Sequence, residues 1–330
     1  MAMPVIAVVL GLALLVWGSE RFVAGASAMA RNLGVSPLLI GLTIVGIGTS
    51  APEIFVAATA AWNGNPGVAV GNAIGSNIAN VGLVIGATAL IFPMTIRSRS
   101  LKREFVLMYA VLLLAGALML DDVLDRTDGI VLMFGFAVLM TVMCGIALTH
   151  RRQDALGDEF AQQIPGGMHT LVAVVWLLVG LFVLLLSSKI IVWGAIGVAR
   201  EFGVSDLVIG LTIVAVGTSL PELAASVMSV LKREPDIAIG NVVGSNMFNM
   251  LPVLALPGLI APGALPAAVL RRDYAVMLGL SVILFFVVYG PRGPGRINRH
   301  EGAALLLFFL GYQYWLYAGS LGGSFGMITK

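Results

Sequence analysis

Apolar stretches long enough to cross a lipid bilayer recur from residue 4 to residue 319, and this recurrence restricts the fold more than any other feature. About 20 apolar residues span the hydrocarbon as a helix. Within hydrocarbon every backbone N–H and C=O needs an internal partner, so a spanning chain is helical or a closed barrel. The stretches fall at 4–24, 36–60, 68–92, 105–120, 128–148, 170–188, 205–230, 237–258, 273–289 and 302–319. They are far longer than barrel strands and do not alternate. The expected fold class is all-α integral membrane, with ten transmembrane helices. Residues 188–204 either lengthen the sixth span or form a separate interfacial piece. The chain is 59% apolar and 11% charged, where a soluble domain carries about 25% charged residues. The first stretch, MAMPVIAVVLGLALLVWG, lacks a basic start and reads as a spanning helix, not a cleaved signal.

Several functional classes fall away. One cysteine, Cys144, excludes an internal disulfide and a cysteine-based metal cluster, and is expected to fill space. His150, His169 and His300 are scattered near expected helix ends. Nothing resembles a basic nucleic-acid face. There is no GxxxxGK[ST] loop and no cytosolic domain large enough to handle nucleotide, which disfavours an ATP-driven pump. The chain reads as a non-enzyme without a cofactor, whose partners are the bilayer and transported cations, with no obligate protein partner.

Basic residues give the orientation. The odd-numbered connections hold thirteen: Arg21, Arg31, Arg97, Arg99, Lys102, Arg103, Arg151, Arg152, Lys232, Arg233, Arg292, Arg296 and Arg299. The even-numbered ones hold five: Arg126, Lys189, Arg200, Arg271 and Arg272. Basic residues favour the cytoplasmic side. Both termini are thus expected outside, and the acidic connection DDVLDRTD with them.

The chain is also duplicated. Residues 34–80 lie over 203–249 without a gap, with 23 of 47 positions identical. GVSPLLIGLTIVGIGTSAPE faces GVSDLVIGLTIVAVGTSLPE, and GNAIGSNIAN faces GNVVGSNMFN. Chance similarity of apolar helices does not place Gly, Thr, Ser, Pro, Glu and Asn in register. The copies occupy spans 2–3 and 7–8, an odd number of spans apart, so the second is expected upside down in the membrane. The expected halves are 1–169 and 170–330. Inverted repeats are the usual build of secondary transporters, with the substrate held at mid-membrane.

The repeated polar residues suit a cation. An ionised side chain within the bilayer costs about 2.5 kcal/mol or more, yet Glu53 and Glu222 lie deep in spans that carry no basic residue at comparable depth. Glu104, Asp273 and Glu301 fall near span ends, where water is expected to reach. Glu53 and Glu222 compete with two plainer readings, a buried Lys or Arg partner and simple protonation; a bound cation compensates both charges directly. Thr49 and Ser50 precede Glu53 by four and three residues, and Thr218 and Ser219 precede Glu222 likewise, which sets them on the same helix face. Alone, such hydroxyls are as often bonded to their own backbone. Pro52 and Pro221 lack an N–H, so the carbonyls of Gly48 and Gly217 lose their helical donors. A plain kink is the alternative to a broken helix whose backbone oxygens hold an ion. Asn72, Ser76 and Asn80, matched by Asn241, Ser245 and Asn249, form a polar stripe on each following helix, with Asn77 and Asn246 beside it. Gly71 and Gly75, and Gly240 and Gly244, have the spacing of close helix contacts. Carboxylate, hydroxyl, amide and carbonyl oxygens are hard ligands that suit Na+, Ca2+ or Mg2+.

At these motifs the sequence resembles the sodium/calcium exchanger family of the cation/calcium antiporter superfamily, over essentially the whole chain, in its compact prokaryotic inner-membrane form. The resemblance implies Na+-driven Ca2+ exchange by alternating access, with H+-coupled or other divalent-cation exchange as the alternative and a channel disfavoured. It implies a central divalent site between Glu53 and Glu222, and flanking Na+ sites at Thr49, Ser50, Ser76, Thr218, Ser219 and Ser245. Carbonyls of Gly46 and Ala215 and the amides of Asn80 and Asn249 complete the implied set. It further implies that the first and sixth spans slide past the core. Several calcium-transporting relatives carry Asp where this chain has Asn249 or its counterpart, so the site here is less negative by one charge.

Overall fold

The computed structural model describes residues 2–96, 101–150, 168–201, 215–265, 269–288 and 295–325. The first part of the expected seventh span, 205–214, lies outside them, as do Arg97, Arg99, Arg151, Arg152 and Arg292.

Two helices of 32 residues, α1 (Ala2–Leu33) and α7 (Thr170–Glu201), lie against each other. Glycines line their seam: a Cβ on Gly25 would come 2.6 Å from the Leu177 nitrogen, and one on Gly180 2.3 Å from that of Phe22. The backbones touch there, so only glycine fits. Residues 188–201 continue α7, because no breaker interrupts the apolar run. Lys189 therefore stands within a helix and not in a connection, 5.3 Å from the centre of the Phe55 ring. Arg21, likewise helical, lies 4.7 Å from the Trp176 ring and 5.8 Å from that of Trp17. Both cations lie against aromatic faces, which attract them.

The second expected span is broken into α2 (Pro37–Thr49) and α3 (Ala51–Trp62), bent by 41°. The Ser36 side chain accepts from Leu39 N–H and Pro37 opens α2, a strong helix start. Ser50 (φ −78°, ψ 5°) makes the break, and Pro52 falls in the first turn of α3, where a missing N–H costs least. Helix α4 (Pro66–Ile91) follows, with a π-helical turn at Asn80–Ile85.

The second copy repeats this element by element. After α5 (Leu101–Leu118) and α6 (Arg126–His150), and then α7, come α8 (Ala215–Thr218) and α9 (Leu220–Leu231), broken at Ser219 (φ −89°, ψ 4°). Helix α10 (Pro235–Ile260) has its π-turn at Asn249–Val253. Even the left-handed turn residue recurs: Gly64 (φ 73°) in one copy and Arg233 (φ 64°) in the other. Arginine there pays a steric cost that glycine avoids, so the backbone path outranks side-chain preference.

Helices α4 and α10 are the most enclosed spans, with 72% and 83% of their apolar windows buried, against 22% for α1 and 28% for α7. Helix α11 (Ala275–Val288) and helix α12 (Arg299–Phe325) close the chain. The fold departs from the all-helical expectation in four short strands. β1 (Met94–Ile96) pairs with β4 (Gly295–Ile297), and β2 (Val123–Leu124) with β3 (Gly263–Ala264), both antiparallel. They occur between helices, where the backbone must find other partners. Five described helices are long and apolar enough to cross a membrane, six with the bent pair. Cys144 is exposed instead of filling space.

Candidate cation site

The breaks at Ser50 and Ser219 place Glu53 and Glu222 in the first turns of α3 and α9, each only 1% exposed. The Glu53 charge is felt at Glu222; Thr49 and Ser50 face Glu222, and Ser76 faces Glu53. Among the described residues no ion pair reaches either carboxylate, which removes the buried-partner reading there.

Asparagines fix the helices around this pair. Asn72 Nδ2 donates to the Glu53 carbonyl at 3.2 Å, and Asn241 Nδ2 to the Glu222 carbonyl at 3.3 Å. Thr49 Oγ1 donates to Asn241 Oδ1 at 2.9 Å and lies 3.5 Å from Ser245 Oγ, which in turn lies 3.5 Å from the Gly46 carbonyl. The two copies thus interlock at the site.

The next turn settles its amides by a chain of donors. The Asn246 carbonyl only accepts, so Asn77 Nδ2, at 3.2 Å, faces it. Asn77 Oδ1 must then accept, and does so from Asn249 Nδ2 at 3.0 Å. Asn80 Nδ2 donates to Asn246 Oδ1 at 3.0 Å. Asn249 consequently presents an oxygen with no partner; Asn80 Oδ1 and Asn246 Nδ2 are both unpartnered in this arrangement, and these two amides can exchange donor and acceptor.

Six of the unpartnered buried oxygens fall in repeat-related pairs at this site, Glu53 and Glu222 Oε2, Ser50 and Ser219 Oγ, Asn80 and Asn249 Oδ1; Ser27 Oγ, Thr88 Oγ1 and Glu104 Oε2 are unpartnered elsewhere and have no such mate. Buried polar atoms without a partner are rare and costly. These are all hard donors, and together they fit Na+ or Ca2+.

Other expected ligands are less uniform. Thr49 is fully buried and Thr218 half-buried; Ala215 opens α8. Ser76 and Ser245 are buried beside the carboxylates. The Gly217 carbonyl freed by Pro221 is not left open, because Ser188 Oγ on α7 donates to it at 2.7 Å. Gly240 and Gly244 make the expected close contact: their Cβ positions lie 2.5 and 2.3 Å from the carbonyls of Leu38 and Leu42. Gly71 and Gly75 do not among the described residues; both are exposed, with no described atom within 4 Å of an added Cβ. Glu104 is wholly buried, not bathed at a span end, and its Oε1 lies 2.9 Å from Arg103; the helix it opens packs on α10. Asp273 is held by Arg272 at 2.6 Å and by the Tyr312 hydroxyl at 2.5 Å. Sequence reasoning passed over Ser226, whose Oγ accepts from Asn241 at 3.1 Å. Its position four residues after Glu222 was the available signal, but Ala57 replaces it in the other copy.

Fold and site define a multi-helix membrane protein built around buried, hard oxygen donors. The chain belongs to the sodium/calcium exchanger protein family, which matches residues 3–145 and 172–318. It is 48% identical to "Putative antiporter CaxA" of Alkalimonas amylolytica over 96% of this chain and 100% of that one. It is 40% identical to the inner membrane protein YrbG of Escherichia coli, over 93% and 96%. Among solved structures, the sodium-calcium exchanger NCX_Mj superposes with a TM-score of 0.79 at 31% identity, covering 93% of this chain and 96% of the other.

Proposed function

We propose that this chain is a secondary antiporter that exchanges Na+ for Ca2+ across the inner (plasma) membrane by alternating access. The observation that carries the reading is the set of paired, unpartnered oxygens around Glu53 and Glu222. The ligands are Glu53, Glu222, Ser50, Ser219, Asn80 and Asn249, with Thr49, Thr218, Ser76, Ser245 and the carbonyls of Gly46 and Ala215 completing the Na+ positions. Two carboxylates balance one Ca2+, or several Na+ with charge left over, so one load displaces the other. The empty site resists crossing because two bare carboxylates are costly to carry through hydrocarbon.

The architecture behind it is ten spans in two inverted halves, 1–169 and 170–330, with both termini outside. In that orientation the exposed Gly71 and Gly75 lie toward the outer end of α4, and the sealed Gly240 and Gly244 toward the inner end of α10. Purified protein in liposomes tests the reading, with Na+, K+, H+ and divalent gradients varied one at a time. Ca2+ uptake that requires an outward Na+ gradient supports it. Uptake driven by a pH gradient alone replaces Na+ with H+ as the coupling ion, and flux indifferent to any counter-ion means a channel.

A further inference from the structure

Ser19 and Ser188 occupy equivalent places in the two long helices. The register that lays GTSAPE on GTSLPE, carried back toward the N-terminus, sets Gly11 on Gly180, Leu15 on Leu184, Ser19 on Ser188 and Gly25 on Gly194. Both serines are buried, yet their hydroxyls do different things. Ser188 reaches from α7 to the broken helix and donates to the Gly217 carbonyl at 2.7 Å, the one Pro221 deprives of its N–H. Ser19 folds back on α1 and donates to the Val16 carbonyl at 2.9 Å. Pro52 frees the Gly48 carbonyl in the same way. The side chains of Leu181 and Phe22 fill the space beside Gly48, 3.2 and 3.5 Å from its Cβ position.

A second asymmetry runs alongside. Ile237, Gly240 and Gly244 of α10 are sealed against Leu38, Gly41 and Leu42 of α2, whereas Val68, Gly71 and Gly75 of α4 meet no such cover among the described residues; residues 207–211, which match 38–42, lie outside them. The two serines, at matching positions of a duplicated chain, therefore stand in unlike arrangements. In a duplicated transporter such halves exchange arrangements as the site changes side.

We propose that Ser188 and Ser19 are alternating positioning residues that couple the α1–α7 pair to the site. In the state described, Ser188 holds α7 to the carbonyl freed by Pro221. In the opposite state Ser19 leaves Val16 and holds α1 to the carbonyl freed by Pro52, while Ser188 turns back on its own helix. Each hydroxyl exchanges one carbonyl acceptor for another, so the number of hydrogen bonds is conserved and neither state is penalised. The shared glycine seam makes both helices move as one. The proposal rests on the exchanger reading, since it needs a site that changes side.

The test uses the full chain in lipid nanodiscs with Cys144→Ser and Gly71→Cys, and reads the rate at which a membrane-impermeant maleimide labels position 71. No transported ion is required. Ser188→Ala is expected to slow labelling by up to about fivefold, the shift in the equilibrium constant that one ordinary hydrogen bond supports, reached in full when the labelled state is the minor one. Ser188→Thr, which keeps the hydroxyl, is expected to label at the parent rate, and adding Ser19→Ala to Ser188→Ala to restore that rate. An unchanged rate in Ser188→Ala, or further slowing in the double variant, overturns the proposal. Na+–Ca2+ exchange by the parent with no such pattern removes this proposal alone; the pattern without exchange removes the exchanger reading and leaves a cation carrier of another kind.

Discussion

Glu53→Gln separates the charge of the carboxylate from its shape. The Asn72 bond goes to the Glu53 backbone carbonyl and survives the substitution. What changes is one negative charge on a side chain that is 1% exposed and has an oxygen without a partner. With Ca2+ bound, removing one member of a buried charge pair costs about 3–5 kcal/mol. At about 1.4 kcal/mol per factor of ten, Ca2+ affinity falls by roughly two to four powers of ten. Without ion the sign reverses, since the variant no longer buries that charge, and the ion-free protein gains stability. Two measurements follow: the thermal midpoint of purified protein with and without Ca2+, and Na+-driven Ca2+ uptake into liposomes. The expected result is a raised ion-free midpoint, no Ca2+-induced rise, and no uptake. Wild-type uptake in both Glu53→Gln and Glu222→Gln would refute the assignment. A lowered ion-free midpoint in both would also refute it, because it would mean that each carboxylate is already held by a protein partner.

Other perturbations probe separate parts of the structure. Gly244→Ala drives a Cβ to 2.3 Å from the Leu42 carbonyl, whereas Gly71→Ala meets no described atom; unfolding should show a loss of about 1–3 kcal/mol for the first and little for the second. Asn249→Asp adds a third carboxylate and removes the donor to Asn77 Oδ1. Half-saturating Ca2+ at fixed Na+ should drop about tenfold while maximal exchange slows; a weaker Ca2+ response places Asn249 outside the ion's reach. Glu234, in the connection between α9 and α10, is pushed from 4.5 to about 7 by burial and then by the Asp236 charge, with Arg31 opposing. A raised carboxyl pKa means the folded state disfavours the ionised form, so stability is lost as pH rises through this window. Glu234→Gln should match wild type below pH 4.5, gain on it up to about 7, and hold a constant advantage above; a gap already present at pH 4 would contradict this.

The sequence showed the paired motifs plainly because their chemistry is local. A proline removes its own N–H, and a glutamate one turn from a serine shares its face wherever the helix sits. Hence the breaks at Ser50 and Ser219, and the burial of Glu53 and Glu222, agree with reading alone. Residue chemistry did not reveal which oxygens are spoken for. Gly217 and Gly48 have the same sequence surroundings, yet only a serine on a distant helix makes the Gly217 carbonyl a bonded one. Glu104 looked like a span-end carboxylate until α5 was seen to pack on α10.

By itself, then, the sequence determined that the chain is helical and membrane-embedded, that it is duplicated, and which polar residues recur at fixed spacing. Hydropathy, register and the loss of a proline N–H act within a few turns of one chain. Only the tertiary structure decided that Thr49 meets Asn241, that Asn77 turns the amide of Asn249, and that Gly240 is sealed against α2. Those facts depend on contacts between the two copies. Two copies that share their motifs are free to sit differently, because the packing between them, not the sequence within each, sets which groups meet.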